Sequence, residues 1–530
     1  MELRIKSCLL LVFLLLSAAL YGPWLGNPLV FDDIGLLGTP ALFDYALRPF
    51  AGGARGFPYF TLGFESVVFN GDIRLSRVVT LLLHAFNGFL LFCLSQSLLQ
   101  KFLTLRRAFI TALLIAVFFV AHPVSVYGVA YLIQRTIILA TLFLLLSVLL
   151  FQQALSRDSI PRAALAGLSF GMAVLSKEHA LTGLIGVLGL ALMHRGLPEK
   201  RRLAIPATYF ATALPFALWV GFLKLVYVGA AYEPDALDLM SASQFPDTGG
   251  QLGTWLFSAS SQGLFFFRYW GAWVWPAPAA LSIDIRPDFN LLFASSWAYA
   301  GLPALLILSM GMAFLLWSQK TAPALKLAAY GMLWALSLFV IELASIRFQE
   351  PIVLYRSYLW GPAFLLALAG FMSALPGRVA LISATVAVLV CLPITWGRLH
   401  TFSDELTLWQ DAALKLPHTT VSGATRIHYN LGIFHNRAGD RDRALEEFEW
   451  VVQREPNHFA GYWGRSTVRA GRDELALAAE DLATVIRLKP QFGLAHHQYG
   501  TVLKALGRLR ESERALATAK TLGVPSIELK

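Results

Sequence analysis

The chain has 530 residues, 56% hydrophobic and 13% aromatic, with 14% charged, a formal net charge of +10 and a mean hydropathy of +0.59. A soluble domain carries about 25% charged residues, so these values exclude an ordinary cytosolic globule, and the lack of low-complexity tracts excludes a disordered or fibrous chain. The deficit is local: residues 1–396 hold 42 charged residues, and the 134 residues of 397–530 hold 34. The first part therefore reads as a multi-span membrane domain and the second as a soluble one.

Residues 1–396 carry 25 basic and 17 acidic side chains, a net +8, and the tail carries +2. Most of the membrane-part charge lies in short loops, where it reports orientation. No basic stripe interleaved with aromatics suggests nucleic acid as a partner. Cys8, Cys93 and Cys391 all sit in apolar runs, which indicates neither a disulfide framework nor a zinc site.

At the N-terminus, Arg4 and Lys6 precede the apolar run Cys8–Leu20. That pattern suits a secretory signal peptide, but the apolar character continues to Leu25 with no clean cleavage site, and many spans follow. It reads as an uncleaved first span. A span needs about 20 mostly apolar residues, and about eleven candidates follow in order: 8–25, 78–99, 108–122, 136–154, 163–176, 180–194, 203–229, 296–317, 327–345, 353–375 and 379–396.

The basic clusters Arg4/Lys6, Lys101/Arg106/Arg107, Arg157/Arg162, His194–Arg202, Lys320/Lys326 and Arg378 all face the cytoplasm if the apolar segment 254–281 does not cross. That segment holds Gln262, Arg268 and two prolines, and a re-entrant or interfacial element is expected. The opposite face is then built from a long loop (26–76), short loops near 122–135 and 176–180, a second long loop (230–295) and the tail. The cytoplasmic loops are too short for a nucleotide-binding domain, and no GxxxxGK[ST] or post-strand GxGxxG occurs, which argues against an ATP-driven pump.

The tail repeats internally. Gly432-x6-Gly439, Gly464-x6-Gly471 and Gly500-x6-Gly507 recur at 32 and 36 residues, and Pro456 and Pro490 stand 34 apart. Ala444, Phe448 and Ala515 fit positions where paired helices touch. The period resembles the tetratricopeptide (TPR) repeat, with about three units and a capping helix expected at Glu405–Leu416. Such arrays bind peptides in a concave groove, or serve as structural caps.

Phe31-Asp32-Asp33 follows the first span. Adjacent carboxylates repel, which raises the pKa of one and suits a general base or a metal ligand; a solvated loop pair is the plainer alternative. Charge at membrane depth costs roughly 2.5–3.5 kcal/mol per residue, yet ionisable groups lie in or beside spans at Arg77, His84, His122, Arg135, Lys177-Glu178-His179, Lys224, Arg268, Glu342, Arg347 and Arg356. Most fall at the end carrying Asp32 and Asp33. Cations converging there suit a phosphate or pyrophosphate at headgroup level, whereas any single one is better explained by snorkelling to the interface. His84 and Asn87 share a helix face and can simply bond a neighbouring helix. The histidines show no HExxH spacing, and no GxSxG marks a serine nucleophile.

Taken in order, these pieces resemble the GT-C glycosyltransferase superfamily, and within it the transmembrane-and-tetratricopeptide O-mannosyltransferases and their bacterial relatives. The likeness rests on Phe31-Asp32-Asp33, Arg77 with His84-x-x-Asn87, His122-Pro123-Val124 with Arg135, Ser176-Lys177-Glu178, Arg268-Tyr269 with Pro276, Arg356, and the TPR tail. Two positions depart from the pattern: Tyr127 and Tyr355 stand where relatives often carry Glu.

The resemblance implies an all-α fold, a polytopic helical domain (1–396) followed by a soluble TPR solenoid (397–530). It implies an enzyme that takes a sugar from a polyprenyl-phosphate carrier and transfers it, with inversion, to Ser or Thr of an exported protein such as a pilin. Asp32 or Asp33 would be the base. Arg77, Arg135, Lys177, Arg268 and Arg356 would hold the donor phosphate, with His84, His122 and Glu178 supporting; any divalent cation would sit on Asp32 and Asp33. The spans would bury the carrier tail among membrane lipids and the TPR groove would dock the acceptor protein. The expected setting is a bacterial inner membrane, with the site and tail on the periplasmic side. Two other readings share the sequence: the same fold acting on a lipid or glycan acceptor, and a non-enzymatic TPR scaffold for envelope assembly.

Overall fold

The computed structural model describes residues 2–37, 39–50, 54–194, 198–232, 248–295 and 297–524. Residues 233–247 of the second long loop, 38 and 51–53 of the first, and 195–197 of one basic cluster lie outside the described residues. Among the described residues there is no β-strand, only the isolated bridges Ala231–Ile346 and Ile285–Ile352. An apolar medium offers the backbone no hydrogen-bond partners, so long Leu-, Ala- and Phe-rich runs close their own bonds as helices.

The chain divides into two units, the first running to Asp404 and the second from Glu405, with Arg286–Phe289 counted in the second. The sequence boundary at 396 falls inside the helix Gly377–Thr401. Nothing between Trp396 and Thr401 breaks a helix, so the last apolar helix carries past the composition change.

Among the described residues of the first unit six helices are long and apolar enough to cross a membrane: Lys6–Trp24, Ile73–Leu99, Leu132–Arg157, Leu203–Tyr227, Pro323–Leu343 and Gly377–Thr401. A seventh arises if Leu105–Ala121 and Pro123–Val129, bent by 57°, form one broken span. The bend follows from Pro123, which cannot donate to the preceding turn. Four shorter apolar helices, Ile160–Ser176, Glu178–Met193, Gly301–Trp317 and Gly361–Ala374, occupy the remaining candidate positions. Among the described residues the eleven candidate segments are all apolar helices, six or seven of them of full spanning length. The segment expected to be re-entrant or interfacial forms one continuous helix, Gln251–Val274, which is not among the helices above, with Ser258, Ser260, Ser261 and Gln262 buried.

Burial separates inner from outer helices. Leu132–Arg157 is 72% buried and Gly377–Thr401 17% buried, so the first forms core while the second presents Val379, Ile382 and Leu389 outward. Small residues allow the closest approaches: Gly331 abuts Ala363 and Ala367, and Gly370 abuts Ala324 and Ala328, so Pro323–Leu343 and Gly361–Ala374 meet backbone to backbone.

The second unit is built of helix hairpins. Glu405–Leu414 is followed by Ala424–Arg437 with Arg441–Arg454, Phe459–Gly471 with Leu475–Leu488, and Gly493–Ala505 with Leu509–Thr521. The three hairpins fall where the 34-residue period put them. Gly432 and Gly464 both face the Phe448 ring, which leaves no room for a larger side chain at either. Asp481 accepts from Arg465 at 2.7 and 3.1 Å and from Arg469 at 2.9 Å, tying the second hairpin together.

Candidate active site

The first helix ends in a 3₁₀ turn, Gly22–Trp24. The segment beyond it is pinned by Arg77, whose Nη1 donates to the carbonyls of Leu25 (2.9 Å) and Asn27 and whose Nη2 donates to that of Pro28 (2.8 Å). Phe31 then adopts a left-handed φ of 51°, and the chain turns into the short helix Asp32–Leu37. This places two adjacent carboxylates in opposite settings. Asp33 is fully buried: its Oδ1 accepts from the Ile133 N–H at 2.7 Å and its Oδ2 from Leu132 at 3.1 Å. Burial pushes its pKa up to about 7, against the pull of these amides and of Arg77. Asp32 is exposed, and its N–H donates to the Tyr131 hydroxyl at 3.1 Å.

A second group forms where Ile160–Ser176 breaks. Lys177 is extended (φ −155°, ψ 126°) and a 3₁₀ turn follows, which turns Lys177-Glu178-His179 into the interior. Glu178 takes a two-pronged bond from Arg55, Nε to Oε2 at 3.1 Å and Nη2 to Oε1, and accepts from the Tyr232 hydroxyl at 3.2 Å. His179 Nε2 lies 2.9 Å from Glu342 Oε1, while Glu342 Oε2 faces Arg347 Nε at 3.1 Å and Arg356 Nη1 at 3.2 Å. Arg356 Nη2 reaches Glu350 at 3.3 Å, and the Arg347 guanidinium stacks over Tyr232 at 4.2 Å.

These contacts set four cations (Arg55, Lys177, Arg347, Arg356) against three carboxylates (Glu178, Glu342, Glu350). The surplus falls on Lys177, which is 5% exposed and has no hydrogen-bond or ion-pair partner among the described residues. Burial first, then the charge of Arg55, lowers its ammonium to about 7. Glu178 and Glu342 act on it in the opposite sense at longer range, so its ammonium sits inside the cluster without a direct bond.

Two aromatic side chains join the groups. The Tyr131 ring meets Phe31 at 5.5 Å and Tyr355 at 5.9 Å, and Tyr355 lies within electrostatic reach of Asp32, Glu350 and Arg356. Asp32, Lys177, Glu178 and Arg356 thus belong to one connected region.

The remaining candidates fall elsewhere or are committed. Arg135 is fully buried, paired with Glu65 at 2.6 Å and donating to Ser76 O and Thr80 Oγ1. Arg77 is spent on carbonyls. His84 Nδ1 and Asn87 Nδ2 share the Tyr358 hydroxyl at 2.7 and 3.2 Å, so both tie helices. His122 caps Pro123–Val129 by accepting from Val124 N–H and stacks on Trp273 at 4.5 Å. Arg268 is exposed on Gln251–Val274 and makes no contact with the cluster. Of the two departures, Tyr127 packs on Phe402, and Tyr355 faces Tyr131 while Glu342 and Glu350 supply the carboxylates to Arg356. Among the described residues no three His, Cys, Asp or Glu side chains gather where a metal ion could be held.

Arg55, Tyr232 and Glu350 escaped the sequence reading, since each lies in a loop without period or motif. A signal existed at Arg55: a lone charge in Ala-Gly-Gly-Ala-Arg-Gly, a segment otherwise built for tight turns.

No family model matches the chain. It is similar to DnaJ homolog subfamily C member 3 of Rattus norvegicus, 36% identical over 93 residues, and to the proteins of that name from Homo sapiens and Bos taurus, each 35% identical over 93 residues. Each match covers 18% of this chain and 18% of the relative, so the chain spans under a fifth of the length of the curated relatives it matches. The likeness is local, to a stretch of those proteins.

Proposed function

We propose that this protein is a polytopic glycosyltransferase of GT-C type that moves a sugar from a polyprenyl-phosphate carrier to Ser or Thr hydroxyls of an exported protein. One observation carries the reading: an exposed carboxylate, Asp32, is joined through Tyr131 and Tyr355 to a buried cluster of four cations and three carboxylates in which the Lys177 ammonium makes no direct hydrogen bond or ion pair among the described residues. A transferase of this kind needs a base open to the acceptor and a positive pocket for the leaving phosphate.

In the proposed step Asp32 takes the hydroxyl proton as the acceptor oxygen bonds to the anomeric carbon from the face opposite the phosphate. The carbon–oxygen bond to the phosphate breaks, its electron pair passes to the phosphate oxygen, and configuration inverts. Lys177 and Arg356 stabilise the charge that develops there, in a low-dielectric site where such groups act most strongly. Arg55 and Glu178 pair with each other beside Lys177, and Asp33 and Arg77 hold the loop bearing Asp32. Both Asp33 oxygens are occupied by amides, so the step is written without a metal ion. The long apolar helices would cross the bacterial inner membrane and surround the isoprenoid tail, with the site at the periplasmic surface. The hairpins of the second unit, read as TPR repeats, would present the acceptor.

The test is transfer by the full chain in detergent, supplied with polyprenyl-phosphate sugar and exported proteins, followed by intact mass. Wild type should add one sugar mass per site, and Asp32→Asn should add none while melting normally. Unchanged transfer by Asp32→Asn would sink the mechanism, and mass added to lipid instead of protein would redirect the acceptor.

A further inference from the structure

The ends of four helices leave a cavity of about 590 Å³ that the proposed transfer does not use. It lies among the start of Glu2–Tyr21, the end of Ile73–Leu99, the start of Leu105–Ala121 and the end of Arg135–Arg157. The candidate active site lies toward the other ends of these helices: Asp32 follows the first, and Arg77, which pins the loop bearing Asp32, opens the second. A 23-residue helix is about 35 Å long, so the two sites stand at opposite mouths of the bundle.

The lining is divided. Lys6 and Arg157 supply positive charge, Gln96 and Gln153 supply amides, and Leu9 and Phe109 supply apolar wall. Among the described residues no Asp or Glu lines the cavity. Its volume falls within the roughly 300–1,000 Å³ of small-molecule sites, and Lys101 and Arg106 on the adjoining turn add to the positive field. Two cations and hydrogen-bond donors over an apolar floor, at the level where apolar helices end, complement a phosphate diester whose acyl chains run down the helix wall.

We infer that this cavity binds the headgroup of an anionic glycerophospholipid. Lys6 and Arg157 pair with the phosphate, the glutamine amides bond the glycerol oxygens, and the first acyl methylenes lie on Leu9 and Phe109. The inference stands on the lining and the helix ends, independently of any transferase activity.

The full chain, purified in detergent and mixed with phosphatidylglycerol or phosphatidylcholine, is assayed for retained lipid by native mass spectrometry. Wild type should retain phosphatidylglycerol over phosphatidylcholine, and millimolar inorganic phosphate should not displace it. Lys6→Gln with Arg157→Gln should weaken retention roughly 30-fold, as expected for two interfacial cations. Ser97→Trp, which fills the cavity without altering charge, should abolish it, and Lys320→Gln on another turn should change nothing. Equal retention in both cavity variants would overturn the site. Loss in Lys320→Gln as large as in the double variant would replace it with general surface attraction, and displacement by inorganic phosphate would replace the lipid with a free anion.

Discussion

Asp32 and Asp33 share a helical turn and differ in every physical respect that governs a carboxylate. Asp33 is sealed against the backbone of Leu132 and Ile133, while Asp32 faces solvent and gives only its backbone N–H to Tyr131. The pair divides its labour: one carboxylate fixes the loop to a distant helix start, and the other stays at the surface, where the proposed function makes it the base.

Asp33→Asn sets an amide NH₂ against a backbone N–H, leaving a buried donor unpaired. The cost is about 1–3 kcal/mol, visible as a lowered melting temperature in detergent. Asp32→Asn should melt as wild type. Equal melting of both variants would contradict the division.

Asp33 also makes stability depend on pH. Its folded pKa, about 7, lies above the unfolded value of 3.8, so the folded state holds the proton more tightly. Its contribution is complete below about pH 4 and is lost as pH rises through 7. Between those limits the wild-type melting temperature should fall relative to that of Asp33→Asn, and a parallel pair of curves would refute the assignment.

Glu342 is the common carboxylate for His179, Arg347 and Arg356. Glu342→Gln leaves two buried guanidinium groups without it, a loss of about 3–5 kcal/mol. Tryptophan fluorescence during thermal unfolding should show the drop, and Glu342→Asp should recover part of it.

Arg77→Lys replaces a planar fork serving three carbonyls with a single ammonium. Losing charge-assisted bonds worth about 1.5–3 kcal/mol should loosen the loop bearing Asp32. On the proposed function, kcat falls about 10- to 100-fold with the donor KM unchanged, because Arg77 holds backbone and not phosphate. A rise in KM alone would place Arg77 on the donor.

In the second unit, Gly432→Val drives a branched side chain into the Phe448 ring. Overpacking of this kind costs about 1–3 kcal/mol. Limited proteolysis of the full chain should cut 424–454 faster in the variant, with the first unit's fragments unchanged.

The hairpins of the tail were legible because Gly and Pro recur at one period and mark where helices meet and stop. The apolar helices were legible from hydropathy, within a few residues at most ends. Their lengths were not, since Pro123 and the break at Lys177 shorten what composition alone runs together. At the candidate site, Asp32, Lys177 and Arg356 could be singled out as charges in apolar surroundings, but their division of roles could not. Two identical residues in sequence carry no mark of which one will meet the amides of 132 and 133. Arg55 finds Glu178 across 123 residues and Tyr232 across 177, a range over which no local pattern operates.

The anchor of Asp33 has a consequence for biosynthesis. Its acceptor bonds reach 99 and 100 residues down the chain, and ribosomes add about 5–20 residues per second. The loop carrying Asp32 therefore waits about 5–20 s for the helix that will hold it. Arg55 waits longer for Glu178, and Arg356 is made after its partner Glu342. Asp33 meets its amides once residue 133 is made, Arg55 meets Glu178 at 178, and Glu342 meets Arg356 only at 356, so the contacts of the site become available from its N-terminal half and the first loop to be made is the first that can be fixed.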